Sequence, residues 1–292
     1  MSDYVFEKLS QNMVPFDCVS GTDVEPKPYK HKTHILAVMS SYCAAFLPQG
    51  ISSITDSNAN VEGGSKRLTF TCFASFAQHM APYAVFASRH MLDDMTHVDF
   101  NANPGPVLVP GSSMFRQVLP YSILCHKQEG GPVRYFTYQR GKFVPNSEEG
   151  IGEKRLEGKV SIGWGGHIEI LEAVQTDGVL NTSQTIYNGM MRELVEELRG
   201  PDPMFDIDKE ITDASIADIL LINSDQGQVD TLHLGVTFIS RFMTDTPPEL
   251  ASNEAALKDI GWLTLEELRT HDCESWTSQL VDFLEGWESN LQ

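Results

Sequence analysis

Apolar positions in this chain follow two rhythms, and the change between them organises the sequence. Residues 35–47 form the longest apolar stretch, interrupted only by Ser40 and Ser41, and their length and composition predict one buried helix. Residues 69–90 are apolar again. Phe70, Phe73, Phe76 and Ala77 recur at helical intervals, which predicts a helix over at least the first half with its phenylalanines in a core. Between these stretches, 50–64 is rich in Ser, Asn and Gly and reads as an exposed loop. Asn103, Pro104, Gly105 and Pro106 then break the pattern and mark a boundary between an N-terminal extension or small domain, 1–105, and a second domain, 106–292.

Beyond that boundary the rhythm becomes that of strands. Val107–Val109 and 117–125 are short apolar runs, and Val133–Arg140 alternates, with Val133, Tyr135 and Thr137 on one side and Phe136 and Tyr138 on the other. Residues 159–164 make another short strand running into Gly165 and Gly166. A long loop follows, then a helix over 182–198. Strands at 216–222 and His233–Phe242 flank a turn-like 224–228. A short strand at 261–263, a helix at 265–269 and an amphipathic helix at 274–287 close the chain. Strands interleaved with helices predict an α/β fold with helices on both faces of a sheet.

Charge narrows the partners. The 292 residues carry 21 basic and 40 acidic side chains, a net charge of −19, which disfavours general binding to nucleic acid or to anionic membranes. No apolar run approaches the roughly 20 residues of a membrane span, and the N-terminus lacks the layout of a signal peptide, so a cytoplasmic protein is expected. Cys18, Cys43, Cys72, Cys125 and Cys273 are odd in number, scattered and without a C-x-x-C pair; they read as buried, reduced thiols.

The chemistry concentrates in the helix at 182–198. Glu193, Glu196 and Glu197 stand at i, i+3 and i+4 and share one face, while Ile186, Met190, Leu194 and Leu198 form the stripe that faces a core. Arg192 can reach Glu196 one turn on, but one arginine does not balance three carboxylates. A hard divalent cation, Mg²⁺ or Mn²⁺, would. The alternative is an ordinary solvated helix face.

Ser161-Ile162-Gly163-Trp164-Gly165-Gly166-His167-Ile168-Glu169, followed by Arg192-Glu193-Leu194-Val195-Glu196-Glu197, resembles the signature of the Nudix hydrolases. Gly261-Trp262-Leu263 with Leu265-Glu266-Glu267-Leu268 also resembles the end of a Nudix domain, so the likeness covers residues 106 to 284 and leaves the first third unexplained. It implies a mixed-sheet α/β/α sandwich that hydrolyses a pyrophosphate bond in a nucleoside diphosphate linked to another moiety, with Mg²⁺ or Mn²⁺ as cofactor. By the same resemblance Glu193, Glu196 and Glu197 are metal ligands and catalytic, Arg192 orients them, and the Gly165-Gly166 backbone approaches metal or phosphate. Glu254, eight residues before Trp262, falls where some members carry a catalytic glutamate; the competing reading is a surface carboxylate. Two departures stand out. The interval from Gly165 to Arg192 is 27 residues, about 13 more than the family pattern, which puts Gln184 where an upstream glutamate is expected. Arg199 stands where a glycine is expected, with Gly200 one place late.

Six basic residues lie between Arg134 and Lys159, a density unusual in so acidic a chain. Arg140, Arg155 and Lys159 are candidates for substrate phosphate, against the alternative that they pair with neighbouring glutamates. His167 could line the site or bind its own loop, and His31 with His34 lacks a third metal ligand. There is no P-loop and no G-x-S-x-G elbow. The expected partner is a nucleotide-derived small molecule, with a homodimer allowed. A nucleotide-binding or regulatory module that does not cleave its ligand is the alternative function.

Overall fold

The computed structural model describes residues 13–14, 34–54, 73–88, 97–99, 107–109, 115–141, 156–177, 179–200, 215–226, 230–254 and 257–290. In chain order the strands and helices begin with β1 (Met13–Val14), β2 (His34–Met39), α1 (Ser40–Phe46), β3 (Gly50–Ser53), α2 (Phe73–Met80), β4 (Ala84–Ser88), β5 (His97–Asp99) and β6 (Val107–Val109). There follow β7 (Phe115–Lys127), β8 (Val133–Arg140), β9 (Val160–Ser161), β10 (Gly163–Trp164), β11 (Gln175–Thr176), β12 (Val179–Leu180), α3 (Thr182–Glu197) and β13 (Leu198–Arg199). The chain ends with β14 (Ser215–Asn223), β15 (His233–Phe242), β16 (Ala251–Ser252), β17 (Leu257–Leu263), α4 (Leu265–Leu268) and α5 (Ser275–Ser289). Strand order in the main sheet is β1-β4-β2-β7-β15-β14-β3; β7 also pairs with β10 and β8, and β8 with β9 and β17. No helix among the described residues is long and apolar enough to cross a membrane.

The chain forms two compact units, one of Met1–Pro120, Gly166–Gly189 and Leu221–Val236, the other of Tyr121–Gly165, Met190–Leu220 and Thr237–Gln292. In the first unit β2 lies antiparallel between β4 (Ala37 opposite Val85) and the start of β7 (Val38 opposite Arg116). Ile35, Leu36, Ala37 and Val38 are all buried, so both faces of β2 are covered. That corrects the expected single helix over 35–47. A central strand must be apolar on both faces, which reads in sequence like a buried helix; the helix begins only at Ser40. The second apolar stretch is helical over Phe73–Met80 and then becomes strand β4, with Phe76 and Met80 in the core; Phe70 lies outside the described residues. The glycine- and serine-rich stretch begins as strand β3 over Gly50–Ser53, and 55–64 lies outside the described residues.

In the second unit β8 is the central strand. It pairs with β7 (Cys125 opposite Tyr135), β9 (Tyr138 opposite Ser161) and β17 (Trp262 opposite Phe136). Phe136 stacks on Trp164 at 5.1 Å between ring centroids, and α4 and α5 add Leu265, Leu268, Leu280 and Leu284 to this core. Strand β17 starts earlier than the expected 261–263 and shifts register between Asp259 and Gly261, where Gly261 takes φ +99°, a conformation suited to glycine. Cys43 and Cys125 are buried free thiols as expected, while the free Cys273 is only half-buried; Cys18 and Cys72 lie outside the described residues.

Candidate catalytic and metal site

Helix α3 is anchored as its pattern requires. Ile186, Met190, Leu194 and the following Leu198 are buried, and Asn181 starts the helix by accepting the Gln184 N–H on Oδ1 at 3.1 Å. The three carboxylates in its last two turns are held differently. Arg192 donates to Glu193 Oε1 and to Glu196 Oε2, each at 2.7 Å, and the Glu193 side chain is 12% exposed against 59% for Glu196. Glu197 has a separate partner: its Oε2 accepts the backbone N–H of Gly165 at 2.9 Å. Gly165 has φ +150°, a backbone setting that favours glycine, so the turn can present its N–H there. Burial, then the charges of Glu193 and Glu254, push the Glu197 carboxyl well above the usual glutamate range, against the lowering effects of Arg140 and the Gly165 N–H.

Glu254 comes close through a clasp at the end of α3. Leu198 and Arg199 leave the helix to pair with Ser252 and Ala251, so α3 ends at Glu197 without the glycine that the signature would place at 199. The last carbonyls of a helix lack intrahelical partners. Here the Asn253 N–H donates to Glu197 O at 2.7 Å and Asn253 Nδ2 to Glu196 O at 3.1 Å. Glu254 itself is exposed, its N–H donated to Ser252 Oγ at 3.0 Å.

Arg140 is fixed by a residue that no motif flagged. Its Nε donates to Glu274 Oε2 at 3.2 Å, and its guanidinium carbon lies 5.5 Å from the centre of the Tyr138 ring. Glu274 is buried and accepts Tyr121 OH at 2.7 Å and Ser161 Oγ at 2.6 Å, both on Oε1. These partners are more than 100 positions away in the chain, which is why spacing could not reveal them. Lys159 pairs with Asp272 at 2.6 Å, 113 positions away in the chain, and not with a neighbouring glutamate. Arg155 and His31 lie outside the described residues. Gly166 and His167 belong to the other unit, where His167 Nε2 bonds Gln117 Oε1 and its ring lies 6.1 Å from that of His233.

Among the described residues no group of three or more His, Cys, Asp or Glu side chains is already gathered as a metal cage. The donor set nevertheless fits a hard divalent cation. It consists of carboxylate oxygens, each bond to Arg192 uses one oxygen of a group with about four lone-pair sites, and Glu197 is held among negative charges that favour an incoming cation.

Comparison with known proteins agrees with this architecture. No protein-family model matches the chain. Over 175 residues the chain is 29% identical to protein YmaB of Bacillus subtilis (strain 168), a stretch covering 59% of this chain and 72% of YmaB. The crystal structure of Tm1382, described as a candidate Nudix hydrolase, superposes with a TM-score of 0.51 at 19% identity over 86% of this chain and 97% of that one. A Nudix hydrolase from M. smegmatis, RenU, gives a TM-score of 0.34 at 12% identity over 61% of this chain and 88% of its own. The fold is thus the Nudix α/β/α sandwich on a mixed sheet, and the 86% shared with Tm1382 exceeds the 106–292 segment, so it includes part of the N-terminal third.

Proposed function

We propose that this protein hydrolyses a pyrophosphate bond in a nucleoside diphosphate linked to another moiety, such as a nucleotide sugar, ADP-ribose or a dinucleotide. The observation that carries the reading is Glu197: half-buried, seated on the Gly165 N–H, and near enough to Glu193 and Glu254 for both charges to act on it. Carboxylates held against each other in this way are characteristic of a site whose charge is completed by its ligand. In this reading Glu193, Glu196 and Glu197 hold Mg²⁺ or Mn²⁺. The chemistry that such an ion supplies when bound is neutralisation of phosphate oxygens and acidification of water. Glu254 is the exposed base: it takes a proton from the attacking water as an O–P bond forms and the anhydride P–O bond breaks, releasing two phosphate-bearing products. Arg192 keeps Glu193 and Glu196 aligned, and the Gly165-Gly166 backbone lets a phosphate approach closely. Among the basic residues, Arg140 is the candidate for a phosphate contact in the described site.

A second reading, a nucleotide-binding module without turnover, is favoured by one feature: Arg192 already bridges Glu193 and Glu196, and no three-ligand cage stands ready among the described residues. One experiment separates the two. Purified protein is incubated with Mg²⁺ or Mn²⁺ and a panel of nucleotide sugars, ADP-ribose, NAD and dinucleoside polyphosphates, and products are followed by chromatography. Turnover abolished by Glu197→Gln supports the hydrolase; calorimetric binding without product supports the module.

A further inference from the structure

Glu274 occupies the N-cap position of α5, where an acidic side chain would ordinarily accept a backbone N–H of the first helical turn. It makes no such bond. Its carboxylate turns inward instead, to Tyr121 OH and Ser161 Oγ through Oε1 and to Arg140 Nε through Oε2. A buried carboxylate needs this much hydrogen bonding merely to be tolerated, so the question is what its placement achieves.

The answer lies in the other end of Arg140. The guanidinium is held along one edge by Glu274 and covered on one face by Tyr138, and the side chain is 30% exposed. Its two terminal amino groups donate to no described residue. An arginine fixed at Nε and by an aromatic ring presents a preorganised two-pronged donor, the geometry that matches a phosphate. The same cluster also sets the strand leading to the glycine turn. Ser161 Oγ accepts the Gly163 N–H at 3.2 Å, and Tyr138 OH donates to Gly163 O at 2.8 Å, two residues before the Gly165 that seats Glu197. Arg140 is near enough for its charge to act on Glu197.

We propose that Glu274 is a positioning residue, holding Arg140 by its Nε so that the two terminal amino groups grip a phosphate of the substrate beside Glu197. This deepens the hydrolase reading and rests on it. The test uses the full chain with Mg²⁺ and ADP as probe, measured by calorimetry, in wild type, Glu274→Gln, Arg140→Gln and the double variant. Glutamine keeps an acceptor for Tyr121 and Ser161 while losing the charge that holds Arg140. The expected result is ADP affinity about tenfold weaker in Glu274→Gln, a larger loss in Arg140→Gln, and no further loss in the double variant. For any substrate of the panel that turns over, KM rises with kcat little changed. A merely structural Glu274 would lower the melting temperature, leave KM in place, and add its effect to that of Arg140→Gln; that result overturns the proposal. If Glu274→Gln does not fold, Arg140→Lys serves instead, since lysine keeps the charge but not the fork, and wild-type ADP affinity in that variant overturns the proposal. A wild-type protein that binds no ADP overturns the hydrolase reading and this one together. Wild-type binding matched by Glu274→Gln overturns this one alone.

Discussion

The N–H of Gly165 donates to the carboxylate of Glu197 at 2.9 Å, joining the glycine turn to the last residue of α3 across 32 positions of sequence. The glycine turn and the carboxylate-bearing end of α3 are thereby brought into direct contact. Between them in sequence the chain forms the 3₁₀ turn Ile170–Glu172 and the small hairpin of β11 and β12.

Glu197→Gln should abolish turnover while leaving the metal-free protein as stable or more so. The sign follows from linkage. The folded carboxyl titrates well above its unfolded value, so the native state holds its proton longer, and the stability this contributes is complete below the ordinary glutamate range of about 4.3. It is lost as pH rises from there through the raised folded value. Melting curves recorded without metal across that span should slope downward with pH in wild type and be flatter in Glu197→Gln. An identical slope in both would contradict the burial argument.

Divalent metal should stabilise the fold. At a Mg²⁺ concentration about 100 times its Kd the gain is about 2.7 kcal/mol. Thermal melts with and without Mg²⁺ should show the increase in wild type and its loss in Glu193→Gln and Glu197→Gln. NaCl at matched ionic strength serves as a control for nonspecific screening of the −19 charge.

Glu254→Gln should lower kcat by about 10²-fold or more, the usual loss when a general base is removed, with Mg²⁺-induced stabilisation retained. Because Glu254 is exposed, its removal should leave the melting temperature almost unchanged. Stopped assays paired with melts would expose a purely structural role as a fall in both.

Gly163→Ala should destabilise by about 3 kcal/mol, the upper end of overpacking costs. A Cβ at this position would lie 1.7 Å from Cζ of Tyr121, a buried ring whose hydroxyl holds Glu274, and neither can move freely. Chemical denaturation measures the loss; near-wild-type stability would mean the ring has room to shift.

Much of this was legible because hydrophobic period is a local property. Val133–Arg140 and His233–Phe242 fall where alternation and apolar density put them, and α3 falls one residue short of expectation. Residues 35–39 misled because a strand covered on both faces leaves no polar alternation, although Ser40 and Ser41, read as mere interruptions, in fact open the helix. In the site, Glu193, Glu196 and Glu197 were legible from helical spacing, but not that Arg192 would take two and leave the third to Gly165. Glu274 was invisible: a glutamate before a helix reads as a cap, and its partners Tyr121 and Ser161 lie 153 and 113 positions away.

The clasp of β13 and β16 is only two residues long on each side, and with the Asn253 N–H to Glu197 O bond it ties the Glu254 segment to the end of α3. So short a ladder frays at far lower cost than the core beneath it. On the hydrolase reading, activity should therefore vanish several degrees below the melting temperature and return on cooling, because the Glu254 segment swings away from a scaffold that is still intact.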